Sequence, residues 1–344
     1  MVIRHVAIIG GGIAGLEAAS VLAKSGYEIA VFDSAPEMGG HVAQWDLLFP
    51  KMRKGAEVLT ALMEQLPKSI RLFNETTIKD IDHVDGHYLL RYNQTETYKA
   101  DAVLIAGGFD TFDAKRKEEY GYGIYDNVIT SVELEEKLKD PQFLNCQKST
   151  SKRVAMIHCV GSRDEKVCNN YCSRVCCVTA VKQAIEIRKK SPETEVFCFY
   201  MDLRMFGRHF EELYREAQER YGIQFIRGRL SEASEGKDKS IILKAEDTLL
   251  GKPLKMTVDL MVLMVGMEIS EDLRPLISQM NLEVGEDRFI MPTDEQLTPN
   301  KTLHEGIFVA GTCTGPKNIT ETLTDARSAA LAITNYFDHQ SYNN

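Results

Sequence analysis

The turn after the first apolar run constrains this chain more than any other feature. Val6–Ile9 reads as a strand, Gly10-Gly11-Gly12-Ile13-Ala14-Gly15 follows, a helix runs to Lys24, Gly26 closes it, and Ile29–Phe32 forms the next strand. Each small residue answers a need: Gly10 makes a tight turn, Gly12 lets the backbone approach a pyrophosphate, and Gly15 lets helix and strand pack closely. The amide end of the helix then faces the anion, so Ile13 and Ala14 join the candidate contacts. Asp33, followed by Ser34, ends the second strand, where a carboxylate accepts hydrogen bonds from ribose hydroxyls. Turn capping is its plainer alternative.

The alternation continues along the chain. Val103–Ala106 ends at Gly107-Gly108, and polar Asn145–Lys152 reads as a connection. Beyond it come strand Val154–Ile157, a helix over 175–190, strand Val196–Tyr200, a helix over 210–221 and strand Ile223–Ile226. A hairpin turning near Gly251-Lys252-Pro253, strand Leu260–Val265, strand Gly306–Ala310 and a helix over Thr324–Phe337 complete the pattern. Strands alternating with helices predict an α/β doubly wound fold. One domain is expected over 1–116 and 269–344, with a second, over 117–268, inserted into it.

Composition removes several classes. With 44% hydrophobic and 26% charged residues in 344, the chain has enough apolar material for real cores. A net charge of -9 repels nucleic acid and anionic membrane surfaces. No transmembrane segment is expected, because the run Leu260–Val265 is far too short to span a bilayer. Apolar structure begins at Val6 without a leader-like region, so a cytoplasmic location is expected.

Eight cysteines in such a chain read as metal ligands or redox groups rather than a disulfide framework. Cys159, Cys168, Cys172, Cys176 and Cys177 fall together, whereas Cys146, Cys198 and Cys313 read as packed or surface thiols. The group follows strand Val154–Ile157, where a nicotinamide-binding domain would carry its own G-x-G-x-x-G. Soft thiolates there select an iron–sulfur cluster, zinc or Cu(I), and spacing alone does not separate iron from zinc.

Gly39-Gly40-His41, Ala106-Gly107-Gly108 and Ala310-Gly311-Thr312 resemble the additional FAD contacts of two-dinucleotide-binding-domain flavoproteins of the thioredoxin-reductase-like type. In that family the chain leaves the FAD domain, builds a second one and returns. Further motifs are similar to the A-type chain of heterodisulfide reductase, over nearly the whole sequence. They are Cys159-Val160-Gly161-Ser162-Arg163-Asp164, Tyr171-Cys172-Ser173-Arg174-Val175-Cys176-Cys177 with Ala180-Val181-Lys182-Gln183-Ala184, Gly108-Phe109-Asp110, Glu118-Glu119-Tyr120-Gly121-Tyr122-Gly123, Asn127-Val128-Ile129-Thr130, and Gly311-Thr312-Cys313-Thr314-Gly315-Pro316-Lys317.

The resemblance implies FAD held by the residues already named together with Ser34, Gln44, Ile78, Asn318 and Ile319. It also implies a [4Fe–4S] cluster held by Cys159, Cys172, Cys176 and Cys177 close to the flavin. Cys168 is an alternative ligand, because on a helix Cys168, Cys172 and Cys176 would share one face while Cys177 diverges by about 100°. Lys182 is placed near flavin N5, where a cation tunes the reduced ring; an exposed helical lysine is the alternative. Pro316–Thr322 is expected to open the last helix toward the flavin, with Thr320 either a contact or an N-cap. His41, Gln44 and Trp45 fall where the family places flavin contacts, although a lone histidine is more often structural.

Longer relatives carry ferredoxin-type C-x2-C-x2-C runs and this chain has none, so one cluster is expected. B- and C-type subunits of a heterodisulfide-reductase-like complex would carry electrons onward, and a homodimer is implied. In length the chain resembles the A-type subunit of the corresponding complex of sulfur oxidisers. No C-x-x-C occurs, so no flavin-linked redox disulfide is expected. Flavin and cluster together convert two-electron into one-electron transfer in sulfane or disulfide chemistry. Competing readings are the flavin subunit of a quinone-interacting membrane-associated oxidoreductase, a stand-alone FAD-dependent NAD(P)H reductase, and a non-catalytic scaffold with structural zinc.

Overall fold

His5–Ile9, apolar throughout after its first residue, forms β1, the central strand of a parallel sheet. The computed structural model describes residues 3–93, 96–140, 142–143 and 152–343. Cys146, and all of the connection expected over Asn145–Lys152 except its last residue, lie outside them. After β1 come α1 (Ile13–Lys24), β2 (Glu28–Phe32), α2 (Gly55–Glu64) and β3 (Arg71–Phe73). Three antiparallel strands follow, β4 (Ile78–Val84), β5 (His87–Tyr92) and β6 (Glu96–Ala100), and then β7 (Ala102–Ile105). Parallel strands are covered on both faces, so β1 and β7 are continuous apolar runs rather than alternating ones.

The second unit begins with β8 (Val128–Thr130) and α3 (Ser131–Lys139), whose start is fixed by a reciprocal cap between Thr130 and Glu133. It continues through β9 (Arg153–Val160), α4 (Cys176–Lys190), β10 (Glu195–Tyr200), α5 (Phe210–Glu219) and β11 (Gln224–Arg227). An antiparallel trio, β12 (Leu230–Glu235), β13 (Ile241–Asp247) and β14 (Lys252–Val258), leads to β15 (Leu260–Val265). The chain then returns to the first unit with β16 (Ile307–Val309) and α6 (Ile319–Asn343).

The first sheet runs β16-β7-β1-β2-β3 and the second β8-β15-β9-β10-β11. The orders match by role: β1 and β9 are central, each trio precedes the strand that returns beside the centre, and a helix follows each central strand. In the first unit α1 and α6 pack through Leu16, Ala19, Leu22, Ala326, Ala330 and Ile333, all fully buried. Each large side chain there contributes roughly 1.5–3 kcal/mol.

The compact units divide at Asp110/Thr111 and Met267/Glu268, and Trp45–Lys54 belongs to the second. The sequence pattern places those divisions at 116/117 and 268/269 and does not separate the short segment. Two other expectations shift. α6 starts at Ile319 rather than Thr324, because Asn318 Oδ1 accepts the Glu321 N–H at 2.9 Å while Glu321 accepts the Asn318 N–H at 2.9 Å. The hairpin turns over 248–251, since Lys252 and Pro253 already pair with Asp247 and Glu246.

Candidate functional site

Four segments of the first unit converge on the end of β1. Gly10 has φ of 109°, and a Cβ there would lie 2.3 Å from the Ala106 carbonyl oxygen, so only glycine fits against Ala106-Gly107. A Cβ on Gly15 would lie 1.9 Å from the Gly10 carbonyl oxygen, which fixes how closely α1 approaches the turn. Gly12 differs: the one atom that its Cβ would meet is the Gly40 Cα, 4.0 Å away. Gly12 bridges Gly39, and the Gly39 N–H donates to the Gly11 carbonyl at 2.8 Å. No side chain caps α1 at Gly12, so the leading amides around Ile13 and Ala14 are left without a side-chain partner from the cap. The last loop closes the set, because a Cβ on Gly311 would come 2.8 Å from the Ala14 Cβ and one on Gly108 would lie 3.8 Å from the Thr312 Oγ1.

Asp33 serves the turn directly. One oxygen accepts the Gly11 N–H at 2.5 Å and the other accepts the Ala35 N–H at 2.8 Å. A carboxylate has further lone pairs, so the capping role and a ribose contact are compatible. Ser34 donates to Asp272 at 2.9 Å, and Ile78 is buried at the start of β4, two residues past Thr76, whose N–H bonds the Asp33 carbonyl at 2.8 Å. His41 Nε2 donates to the Phe109 carbonyl at 2.8 Å, and its ring stacks on Phe109 at 4.2 Å. Gln44 is exposed. At α6 the N-cap is Asn318, so Thr320, inside the first turn, is not the cap. Lys317 ties the preceding loop together, donating to the Gly311 carbonyl at 3.0 Å and to Thr314 Oγ1 at 2.5 Å. Cys313 and Cys198 are fully buried, and burial pushes the Cys313 thiol up to about 12.

The corresponding turn of the second unit is built of sulfur. The pairing of β9 with β15 shifts between Ile157 and Val160, and Cys159 adopts φ of 59°. Cys176 and Cys177 occupy the first turn of α4, where unsatisfied amides favour thiolates. The Cys176 thiol is hydrogen-bonded to both Cys159 and Cys177. Those bonds lower Cys159 to about 7 and, with help from His158, Cys177 to about 4, while they raise Cys176. Burial opposes charge on His158, but contact with Cys177 and Cys198 raises it to about 10.

Cys172 is half-buried, its sulfur accepting the Arg174 N–H at 3.3 Å, and the Arg163 guanidinium acts on both Cys159 and Cys172. Cys168 is exposed, at the end of a short 3-10 turn, with φ of 58°. Residues 168–175 are not helical, so the shared helical face expected for Cys168, Cys172 and Cys176 does not exist. Among the described residues no three Cys, His, Asp or Glu side chains surround a common metal position. The sulfurs instead meet in hydrogen-bonded pairs. In chemistry, though not in arrangement, they suit a soft metal centre, because Cys159, Cys172, Cys176 and Cys177 are the soft thiol donors such a centre takes. Gly161, in the same turn, has φ of 71°, and its Cβ would fall 2.0 Å from the Phe112 ring, so only glycine fits there.

Lys182 is not the exposed helical lysine considered as an alternative. It is 2% exposed, and its ammonium meets both Glu135 oxygens, at 2.7 and 2.6 Å, and Glu186 Oε1 at 2.8 Å. Glu135 accepts two hydrogen bonds from the ammonium and Glu186 forms an ion pair with it, so any influence of this cation on a cofactor would pass through two glutamates. Sequence reading missed Glu135 and Glu186; the Thr130-x-x-Glu133 cap signature could have revealed the helix that carries Glu135. No local signal pointed to Glu186.

A family described as Pyridine nucleotide-disulphide oxidoreductase matches residues 4–330. The chain is 34% identical, over an alignment of 414 residues, to the iron-sulfur A-type chain of the CoB–CoM heterodisulfide reductase of Methanocaldococcus jannaschii, covering 95% of this chain and 63% of that protein. It is 40% identical over 254 residues to the A-type chain of the H(2)/formate:CoB-CoM heterodisulfide,ferredoxin reductase of Methanococcus maripaludis, covering 71% and 39%. The chain thus spans less than two thirds of these relatives. Among solved structures, thioredoxin reductase of T. acidophilum superposes with a TM-score of 0.68 at 19% identity, covering 98% of this chain and 99% of that one. Thioredoxin reductase of Lactococcus lactis gives 0.66 at 17%, covering 97% and 98%. These likenesses show the thioredoxin-reductase-like fold. No helix among the described residues is long and apolar enough to cross a membrane.

Proposed function

Because the chain belongs to the pyridine nucleotide-disulphide oxidoreductase family, we propose that this oxidoreductase is an FAD-binding electron-transfer subunit of a heterodisulfide-reductase-like assembly and that its thiol loop holds one [4Fe–4S] cluster. The observation that carries the reading is the contrast between matching turns. After β1 the turn runs on to Gly12, whose Cβ would meet nothing closer than 4.0 Å, whereas after β9 no glycine follows Gly161 before the helix and thiols at Cys159, Cys176 and Cys177 stand there instead.

In the first unit, Gly10, Gly12 and Gly15 with the α1 amides would seat the pyrophosphate, Asp33 the ribose, and the segments Gly39–Gly40, Ala106–Gly108 and Gly311–Thr312 the remainder of FAD. In the second, Cys159, Cys172, Cys176 and Cys177 would hold the cluster. Arg163 offsets the charge of the sulfurs near it, and burial of Cys159, Cys176 and Cys177 limits access of water. When bound, FAD supplies two-electron chemistry and the cluster one-electron transfer. B- and C-type subunits are the proposed partners, sulfane or disulfide chemistry the proposed context, and a cytoplasmic homodimer the proposed form.

Anaerobic purification followed by FAD, iron, zinc and acid-labile sulfide analysis, with EPR of the reduced protein, tests this. The expected result is FAD with four irons and matching sulfide per chain, the content of such a cluster. Zinc without sulfide would replace the cluster with a structural metal site. Rapid bleaching of the flavin by NADH in the isolated protein would favour a self-sufficient reductase instead, despite the missing second glycine motif.

A further inference from the structure

The segment Lys117–Tyr120, which the proposed cofactor sites leave without a role, packs against the loop between Cys159 and Cys172. Lys117 and Asp164 are each only 2% exposed, and the Lys117 ammonium lies 2.8 Å from Asp164 Oδ2 and 2.6 Å from Glu119 Oε1. Arg229 reaches the same Asp164 oxygen at 2.7 Å and is hydrogen-bonded to the buried Tyr120. The other Asp164 oxygen accepts the Lys166 N–H at 3.1 Å.

Asp164 also joins the two arms of the loop. Its N–H donates to the Asn169 carbonyl at 2.9 Å, and the Asn169 N–H returns to the Asp164 carbonyl at 3.1 Å. Asn169 Nδ2 donates to the Gly161 carbonyl at 3.0 Å, and the Arg163 N–H donates to the Tyr171 carbonyl at 2.9 Å. At the base, Ser173 Oγ meets Ser162 Oγ and accepts the Met267 N–H at 2.9 Å. None of these bonds uses a thiol. The loop nevertheless holds Cys159, Arg163, Cys168 and Arg174 at φ of 59°, 52°, 58° and 60°. Such left-handed non-glycine residues are strained and persist only where the surroundings over-determine them.

We infer that Asp164, clamped between Lys117 and Arg229, is the positioning residue that holds the cysteine loop in its ligand-bearing shape before any metal is present. The inference rests on the cluster reading above. A buried carboxylate with two cationic partners is a stiff anchor, because leaving Asp164 or Lys117 uncompensated in the interior is costly. The clamp thus sets where Cys159 and Cys172 stand and leaves the sulfurs to bind rather than to fold the loop.

The test compares Asp164→Asn, Arg229→Gln and Arg229→Lys with the unaltered chain. In metal-free protein, amide exchange over 161–173 is expected to rise at least about tenfold in the first two and to recover in Arg229→Lys, while FAD content and cooperative unfolding stay unchanged. After reconstitution, iron and sulfide retention against a chelator is expected to weaken by about 10–100-fold in the same two variants. Should Asp164→Asn fail to fold, Arg229→Gln decides, since the Arg229 side chain is 46% exposed and its loss leaves Lys117 on Asp164. Unchanged exchange and unchanged iron retention in Arg229→Gln overturn the positioning role alone. An unaltered chain that takes up no iron or sulfide overturns the cluster reading, and with it this inference.

Discussion

The Lys182 ammonium lies 2.8 Å from Glu186 Oε1 on the same helix, with both side chains buried and Glu135 completing the cluster. Burial raises the Glu186 carboxyl from 4.5 to about 7 against the pull of Lys182, and Glu135 and Asp46 add to the rise. A carboxyl raised in the folded state contributes stability that is complete below its unfolded value and is lost as pH climbs through the folded one. Between about pH 5 and pH 8, the urea midpoint of the unaltered chain should therefore fall relative to Glu186→Gln. Parallel curves for the two proteins would show that Glu186 does not titrate there.

Replacing Lys182 with Met leaves Glu135 and Glu186 facing each other without a cation. Breaking a buried pair in this way is expected to cost about 3–5 kcal/mol, read as a lower denaturant midpoint at neutral pH. A loss below about 1 kcal/mol would show that the buried cluster does not depend on the cation.

The glycine turn offers a matched pair of substitutions. Gly12→Ala places its Cβ in open space with φ of -71°, so the fold should survive while FAD binding weakens by about tenfold or more, equivalent to ~1.4 kcal/mol. Gly15→Ala drives a Cβ to 1.9 Å from the Gly10 carbonyl and should destabilise the first unit itself by about 1–3 kcal/mol. Flavin fluorescence titration and denaturant melts separate the two. Normal FAD affinity in Gly12→Ala would remove the turn from the cofactor site.

The ligand choice is equally direct to test. Cys172 shares the Arg163 guanidinium with Cys159, whereas Cys168 is exposed. Cys172→Ala is expected to lose the iron and sulfide that Cys168→Ala retains, measured after the same anaerobic reconstitution. The reverse pattern would assign the fourth ligand to Cys168.

The sequence by itself determined much of this protein. Period and glycine spacing located β1, α1 and β2 to within a residue, since those signals are local and a parallel strand buried on both faces must be apolar throughout. The crowding of five cysteines after the central strand of the second unit was likewise visible, because it is a matter of order along the chain.

Tertiary structure alone decided the rest. Cys168 and Cys172 were separated by a non-helical loop, entered through a left-handed Cys168, that helical spacing does not report. Phe112 covers Gly161 from 49 positions away in the chain, and Glu135 reaches Lys182 from 47 away. Lys117 and Arg229 meet Asp164 across comparable separations. The physical reason is shared: burying a charge or closing a gap requires a partner brought by the fold, and pattern along one strand or helix records which residue is buried but not which distant one answers it.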